Sequence, residues 1–192
     1  MDRSSGLFWG TIATLFALSL FYAVGAQREI RKGRQAEGKI ESGSIVKMVR
    51  VVDGDTLVVV QEGEKPASVR ILGIKSFDAK IEKDIVTPYS QAAIDTLERL
   101  MTDRPIRVML NSTPKDRHGR YIATFYVENQ DIGLRLIREG LVLAYTVYPF
   151  PAMSLYLTEQ ELAQAGRKGL WANKDVATRA QALINEWQRR TE

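Results

Sequence analysis

The chain has 192 residues, no cysteine, one histidine and a formal net charge of +4. That length accommodates one domain of ordinary size with short appendages, and 45% hydrophobic with 26% charged residues excludes a disordered chain and a multi-spanning membrane protein. Without cysteine there are no disulfides, thiolate metal sites or cysteine nucleophiles, and the lone His118 excludes a multi-histidine cage, so any chemistry falls to carboxylates, arginines, lysines and hydroxyls.

The first element in chain order is an apolar run, Gly6 to Ala26, whose 21 residues include no ionisable side chain other than Tyr22. At about 1.5 Å per residue it crosses a hydrocarbon core of roughly 30 Å, with Trp9 and Tyr22 near the two interfaces. Val24-Gly25-Ala26 also carries the small residues of a signal-peptidase site. The length of the run and the basic stretch behind it favour an uncleaved anchor over residues 1–27. Arg28, Arg31, Lys32, Arg34 and Lys39, against Glu29 and Glu37, form that stretch, and the positive-inside rule places the folded domain on the cytoplasmic side. From Ile40 onward the net charge is only +1, so the sequence pI near 9.3 is not in itself a nucleic-acid signature.

Residues 28–44 read as a basic juxtamembrane linker, residues 45–172 as the folded domain and residues 173–192 as an amphipathic C-terminal helix. Ile45 to Val52, Thr56 to Val60 and Ala67 to Ile74 are β-branched strand candidates. Thr87-Pro88 reads as an N-cap and first helical proline, with Tyr89, Ala93, Leu97 and Leu100 on one face. Ile106 to Leu110 and Tyr121 to Val127 are two more strands, joined by a polar loop from Asn111 to Arg120. Helices are expected from Asp131 to Glu139, from Thr158 to Gly169 with Thr158 and Glu161 spaced as a capping box, and from Asp175 with Val176, Ala180, Leu183 and Trp187 in one stripe. Five strands with a helix after the third predict an α+β fold containing an OB-type Greek-key barrel.

Asp53-Gly54-Asp55-Thr56 between two valine-rich runs is by itself an ordinary hairpin turn. It is succeeded in order by Val69-Arg70-Ile71-Leu72-Gly73-Ile74, Asp116-Arg117-His118-Gly119-Arg120, Leu136-Ile137-Arg138-Glu139-Gly140-Leu141 and Gly169-Leu170-Trp171. Each motif is weak singly; their order and spacing resemble the staphylococcal nuclease (thermonuclease) family over roughly Ile45 to Trp171. The resemblance implies a five-stranded OB-type barrel with three helices, here preceded by a transmembrane helix and followed by the C-terminal amphipathic helix. It also implies a calcium-dependent phosphodiesterase acting on DNA or RNA. By position, Asp55 matches a calcium-ligating aspartate with Asp53 beside it, Arg70 and Arg120 match the arginines that stabilise the charged phosphorane, and Tyr148 falls at a substrate-contacting tyrosine. A hard cation prefers carboxylate oxygen, and a guanidinium fork matches phosphate oxygens.

The departure from that pattern is at Lys75-Ser76-Phe77-Asp78. Lys75 stands where the resemblance requires a second metal carboxylate, and Asp78 holds the catalytic base position with a side chain one methylene shorter than glutamate. Two unit charges about 4 Å apart at an effective dielectric near 20 interact by about 4 kcal/mol, and half of that already outweighs a tenfold change in affinity. The expectation is that Lys75 pairs with Asp55 or Asp53 in place of the metal, leaving a binding or scaffolding module. The alternative is an active nuclease using Asp55, Arg70, Asp78 and Arg120. The ordinary alternative for Arg70 and Arg120 is a structural ion-pair role, and His118 reads as a solvated turn histidine. The uncharged segment Tyr145 to Leu157 and the C-terminal helix are candidate surfaces for a protein partner or bilayer, with packing on the domain itself as the ordinary reading of each.

Overall fold

The computed structural model describes residues 38–77 and 85–189, together with the single position Ser19. Apart from Ser19, the apolar run Gly6 to Ala26 lies outside the described residues, as does Asp78, and among the described residues no helix is long and apolar enough to cross a membrane.

Alternating apolar residues set the strands. β1 (Ile45–Asp53), β2 (Thr56–Gln61) and β3 (Ala67–Ile71) form an antiparallel meander in which Val46, Leu57, Val59, Ala67, Val69 and Ile71 face the core. Register shifts between Met48 and Arg50 and between Val51 and Asp53 mark bulges that sharpen the twist of β1 toward its hairpin. β5 (Ile106–Lys115) pairs antiparallel with β1 and with β6 (Tyr121–Val127), and β6 closes the ring by running parallel to β3. Five strands thus form a closed barrel, and the short β7 (Gln130–Asp131) adds to β6. A separate two-stranded ladder joins β4 (Ile74–Lys75) to β8 (Leu143–Ala144).

The expected third strand, Ala67 to Ile74, is broken at Leu72-Gly73, where Gly73 has φ +75° and lets the chain leave the barrel for the β4–β8 ladder. The predicted loop from Asn111 is strand as far as Lys115, with irregular register. The predicted linker also ends earlier than Ser44. Gly38 N–H donates to the Pro66 carbonyl at 3.1 Å and Ile40 is buried in the core, so the compact unit begins at Gly38.

Helix α1 (Thr87–Met101) has Val86 at its N-cap position, which places Thr87 in the first turn, and it lays Ala93, Leu97 and Met101 on the barrel. α2 (Ile132–Arg138) is capped by Asp131, whose carboxylate accepts from Leu134 N–H at 3.1 Å and from the buried Tyr156 hydroxyl at 2.9 Å. α3 (Met153–Ala165) begins five residues before the predicted Thr158, because Pro149 and Pro151 fix the preceding turn and Met153 N–H bonds to the Phe150 carbonyl. Thr158 lies inside this helix, its hydroxyl donating back to the Ser154 carbonyl, and forms no capping box. A short 3-10 turn (Gly169–Ala172) leads to α4 (Lys174–Arg189), whose first turn is capped by Asn173.

The core has two parts. The larger fills the barrel and the space under α1 and α2; the smaller joins Phe77, Val86, Leu143, Leu170 and Trp171 to Val176, Ala180, Ile184 and Trp187 of α4. The stripe predicted at the C-terminus is thus spent within the domain, with Ile184 buried and Leu183 at its margin. The segment from Tyr145 to Leu157 divides: Phe150 and Tyr156 are buried edge to face, whereas Tyr148 and Leu155 are exposed.

Gly73 is where this arrangement is least tolerant of change. A Cβ there would lie 2.4 Å from the Phe150 ring on a left-handed backbone, so Gly73→Ala is expected to cost roughly 2 kcal/mol or more of unfolding free energy in urea titration. A change below about 0.5 kcal/mol would show that the β3–β4 turn does not need glycine.

Candidate functional site

The hairpin joining β1 to β2 carries the first site residues. Asp53 pairs with Thr56 across it, and the Asp53 carboxylate accepts from Asp55 N–H at 2.9 Å, the local bond that makes Asp-x-Asp a stable turn. Gly54 sits where a Cβ would be 2.8 Å from Ser76 Cβ and 2.9 Å from Ala93 Cβ, so only glycine lets the hairpin seat between the end of β4 and α1. Asp55 points inward and is 1% exposed.

A carboxylate so buried must be compensated from within the protein. Asp55 Oδ1 accepts from an Arg70 guanidinium nitrogen at 2.7 Å and from the Thr56 hydroxyl at 3.0 Å. Its Oδ2 accepts from Lys75 Nζ at 3.3 Å and from Ser76 N–H at 3.0 Å. Four donors therefore occupy the four lone-pair directions of one carboxylate. Arg70 is held further by its second guanidinium nitrogen on the Ile74 carbonyl at 3.1 Å and by the Tyr145 ring, 5.6 Å from its guanidinium carbon. Lys75 is placed by the ladder that pairs it with Leu143, and Tyr145 by its N–H on the Gly73 carbonyl at 2.9 Å.

Arg120, at the mouth of β6, donates to the Thr56 hydroxyl at 3.1 Å. Asp116 fixes it by accepting from its Nε at 2.9 Å and from its main-chain N–H at 3.1 Å, and closes the turn by accepting from His118 N–H. Thr56 thus bridges the two guanidinium groups: its hydroxyl accepts from Arg120 and donates to the carboxylate that Arg70 grips. The arrangement brings together Asp53, Asp55, Arg70, Lys75 and Arg120. Tyr148 is 71% exposed and stands beside Tyr145, at a ring separation of 6.2 Å. His118 is exposed and accepts from Arg117 Nε.

Tyr145, Thr56, Ser76 and Asp116 are the members that sequence reasoning passed over. The Asp-x-x-x-Arg spacing of Asp116 and Arg120 is a local ion-pair signal, whereas nothing local distinguishes Tyr145 from Tyr148.

The electrostatics come from this wiring. Burial acts to raise the Asp55 pKa, but Arg70 and then Lys75, with Ser76 N–H and Thr56, outweigh it and hold the carboxyl below the ordinary range. Asp53 is pushed up, first by burial and then by the charge of Asp55. For Asp116, burial again acts upward and the Arg120 contact outweighs it, leaving the group depressed.

The calcium ion implied by the resemblance does not fit these residues. Calcium takes six to eight oxygens at about 2.3–2.6 Å. Here both Asp55 oxygens are occupied by hydrogen-bond donors, an ammonium lies against one of them, and one Asp53 oxygen is engaged by the turn. Among the described residues no cluster of three or more acidic or histidine side chains is placed to hold a metal.

Because the folded pKa of Asp55 lies below its unfolded value near 3.9, the stabilisation from its ionised form is complete above about pH 4 and is lost as the pH falls through the folded value. Asp116 acts in the same direction and Asp53 in the opposite one. Asp55→Asn is expected to cost about 3 kcal/mol at pH 7, toward the lower end for a broken buried pair because Lys75 is part exposed. It should also flatten the loss of stability between pH 5 and pH 3 in denaturant titrations. An unchanged acid limb would remove Asp55 as its source.

Comparison with known proteins identifies the family. The family model described as staphylococcal nuclease homologue matches residues 68–173. A thermonuclease of Staphylococcus hyicus is 30% identical over 128 residues, covering 66% of this chain and 75% of the relative. An uncharacterized endonuclease of Haemophilus influenzae is 33% identical over 129 residues, 67% of each chain, and a thermonuclease of Staphylococcus intermedius is 30% identical over 121 residues, covering 63% of this chain and 71% of the relative. The family match spans Ser68 to Asn173, more than half of the chain, and the chain belongs to the staphylococcal nuclease family.

Proposed function

We propose that this protein is a staphylococcal nuclease-like binding module in which the Lys75 ammonium fills the metal position and calcium-dependent phosphodiester hydrolysis is weakened or lost. The observation that carries this reading is the Lys75 contact with Asp55 Oδ2 at 3.3 Å, on a carboxylate whose remaining acceptor positions are already engaged. A cation entering there would have to displace a tethered positive charge and leave it beside the ion, a penalty of a few kcal/mol at an effective dielectric near 20.

The same geometry leaves a use for the cations. Arg70 and Arg120 retain guanidinium N–H groups beyond those spent on Asp55, Ile74, Thr56 and Asp116, and both side chains are part exposed. Forked donors of this kind suit phosphate oxygens, so a phosphodiester segment of DNA or RNA is the ligand they support. The apolar span Gly6 to Ala26 and the basic stretch behind it support a membrane tether with the domain on the cytoplasmic face. Exposed Tyr148 and Leu155 offer contact area for a protein partner.

The second reading is an active phosphodiesterase using Arg70, Asp78 and Arg120, favoured by the retention of both arginines on one hydroxyl bridge and by the relatives named as thermonucleases. Calorimetric calcium titration of the full-length protein, with cleavage of single-stranded DNA and RNA in calcium and in chelator, separates the two. Wild type is expected to show no calcium heat and no turnover, and Lys75→Asp to gain calcium affinity by at least tenfold. Tight calcium binding by wild type, or chelator-sensitive turnover abolished in Arg70→Ala, would establish the nuclease instead.

A further inference from the structure

Helix α4 lies beyond residue 173, where the family match ends, yet it buries Val176, Ala180, Ile184 and Trp187 against the part of the domain that carries the site. Two lines of contact run from it to the group around Asp55, one reaching Arg70 and the other Ser76. In the first, Trp187 meets Tyr145 edge to face, with ring centroids 5.0 Å apart and planes at 81°, and Tyr145 in turn lies against the Arg70 guanidinium at 5.6 Å. In the second, Arg179 lies over the Phe77 ring at 5.8 Å, and Phe77 directly succeeds Ser76, whose N–H holds Asp55 Oδ2. Phe77 and Leu143, the β8 residue paired with Lys75, belong to the same buried cluster as the α4 stripe.

We infer that α4 is a positioning element of this site, with Trp187 its principal residue, holding Tyr145 so that Arg70 keeps its bond to Asp55 while presenting its remaining N–H groups outward. The physical reason is that a tyrosine ring attracts a guanidinium only when its face is turned to the cation. Tyr145 is half-buried, and the Trp187 ring against it limits its rotation. A long cationic side chain left without that ring would sample several rotamers, and binding would then bear the entropy of ordering it. The consequence for phosphodiester affinity rests on the binding reading above; the consequence for Arg70 itself does not.

Trp187→Leu keeps a buried apolar side chain but removes the ring, Trp187→Phe restores an aromatic edge, and Leu183→Ala trims the margin of the same helix while keeping both the Trp187 and Tyr145 rings. The test on the full-length protein combines thermal unfolding, NMR of the Arg70 guanidinium N–H protons and binding of a short single-stranded DNA oligonucleotide in chelator. In wild type the Arg70 protons should carry the upfield ring-current displacement of a group over an aromatic face. Trp187→Leu should lose that displacement and weaken binding by about tenfold, the equivalent of 1.4 kcal/mol. Trp187→Phe should recover both, and Leu183→Ala should lower Tm while moving neither. Arg70 signals that are unchanged in Trp187→Leu, or that move equally in Leu183→Ala, overturn the positioning role even if DNA binds. Arg70 signals that depend on Trp187 in a protein that binds no DNA uphold the positioning role and overturn the phosphodiester reading alone.

Discussion

The buried Asp55 carboxylate governs the arrangement around it. Placed at the tip of the first hairpin and shielded by α1, it has to find its counter-charges inside the protein, and it finds them on both sides of the β3–β4 turn. Arg70 comes from barrel strand β3 and Lys75 from the ladder beyond Gly73, so one carboxylate ties the barrel to the structure packed against it. Removing either partner exposes the other to an unbalanced field, which is the usual asymmetry of interior ion pairs: weak as a net source of stability, costly to break.

That wiring also determines what the site is able to do. With two donors on each oxygen, the Asp55 carboxylate anchors the segments around it. The Thr56 hydroxyl makes the two guanidinium groups part of one network, so a change at either is transmitted through a single oxygen to the same carboxylate.

The strands of the barrel were legible because β-branched residues alternate with polar ones and turn residues punctuate them. The pairing of Lys75 with Asp55 or Asp53 was legible through the family resemblance, which sets a reversed charge beside the Asp-Gly-Asp-Thr turn, and tertiary geometry selects Asp55. Other features depended on tertiary context. Ile40 belongs to the core although its neighbours read as linker. Thr158 has the spacing of a cap but sits mid-helix, since Pro149 and Pro151 set the true start of α3. Between Tyr145 and Tyr148, three residues apart and equally aromatic, it is tertiary contact, the bond from Tyr145 N–H to the Gly73 carbonyl and the Trp187 ring, that sets Tyr145 against Arg70. Asp78 lies outside the described residues, so the base position expected from the sequence has no geometry to set against it.

The parallel seam between β3 and β6 joins strands about fifty residues apart in the chain, setting Arg70 opposite Ile122, two residues from Arg120. The meander of β1 to β3 can pair through local hairpins, but the seam has to await a long loop closure, which is entropically late. The two guanidinium groups consequently become neighbours only when the cylinder shuts. In a partly opened chain the pairing of the two guanidinium groups is dismantled while hairpins and helices persist, so amide exchange along this one edge reports on the integrity of the site more directly than helix content does.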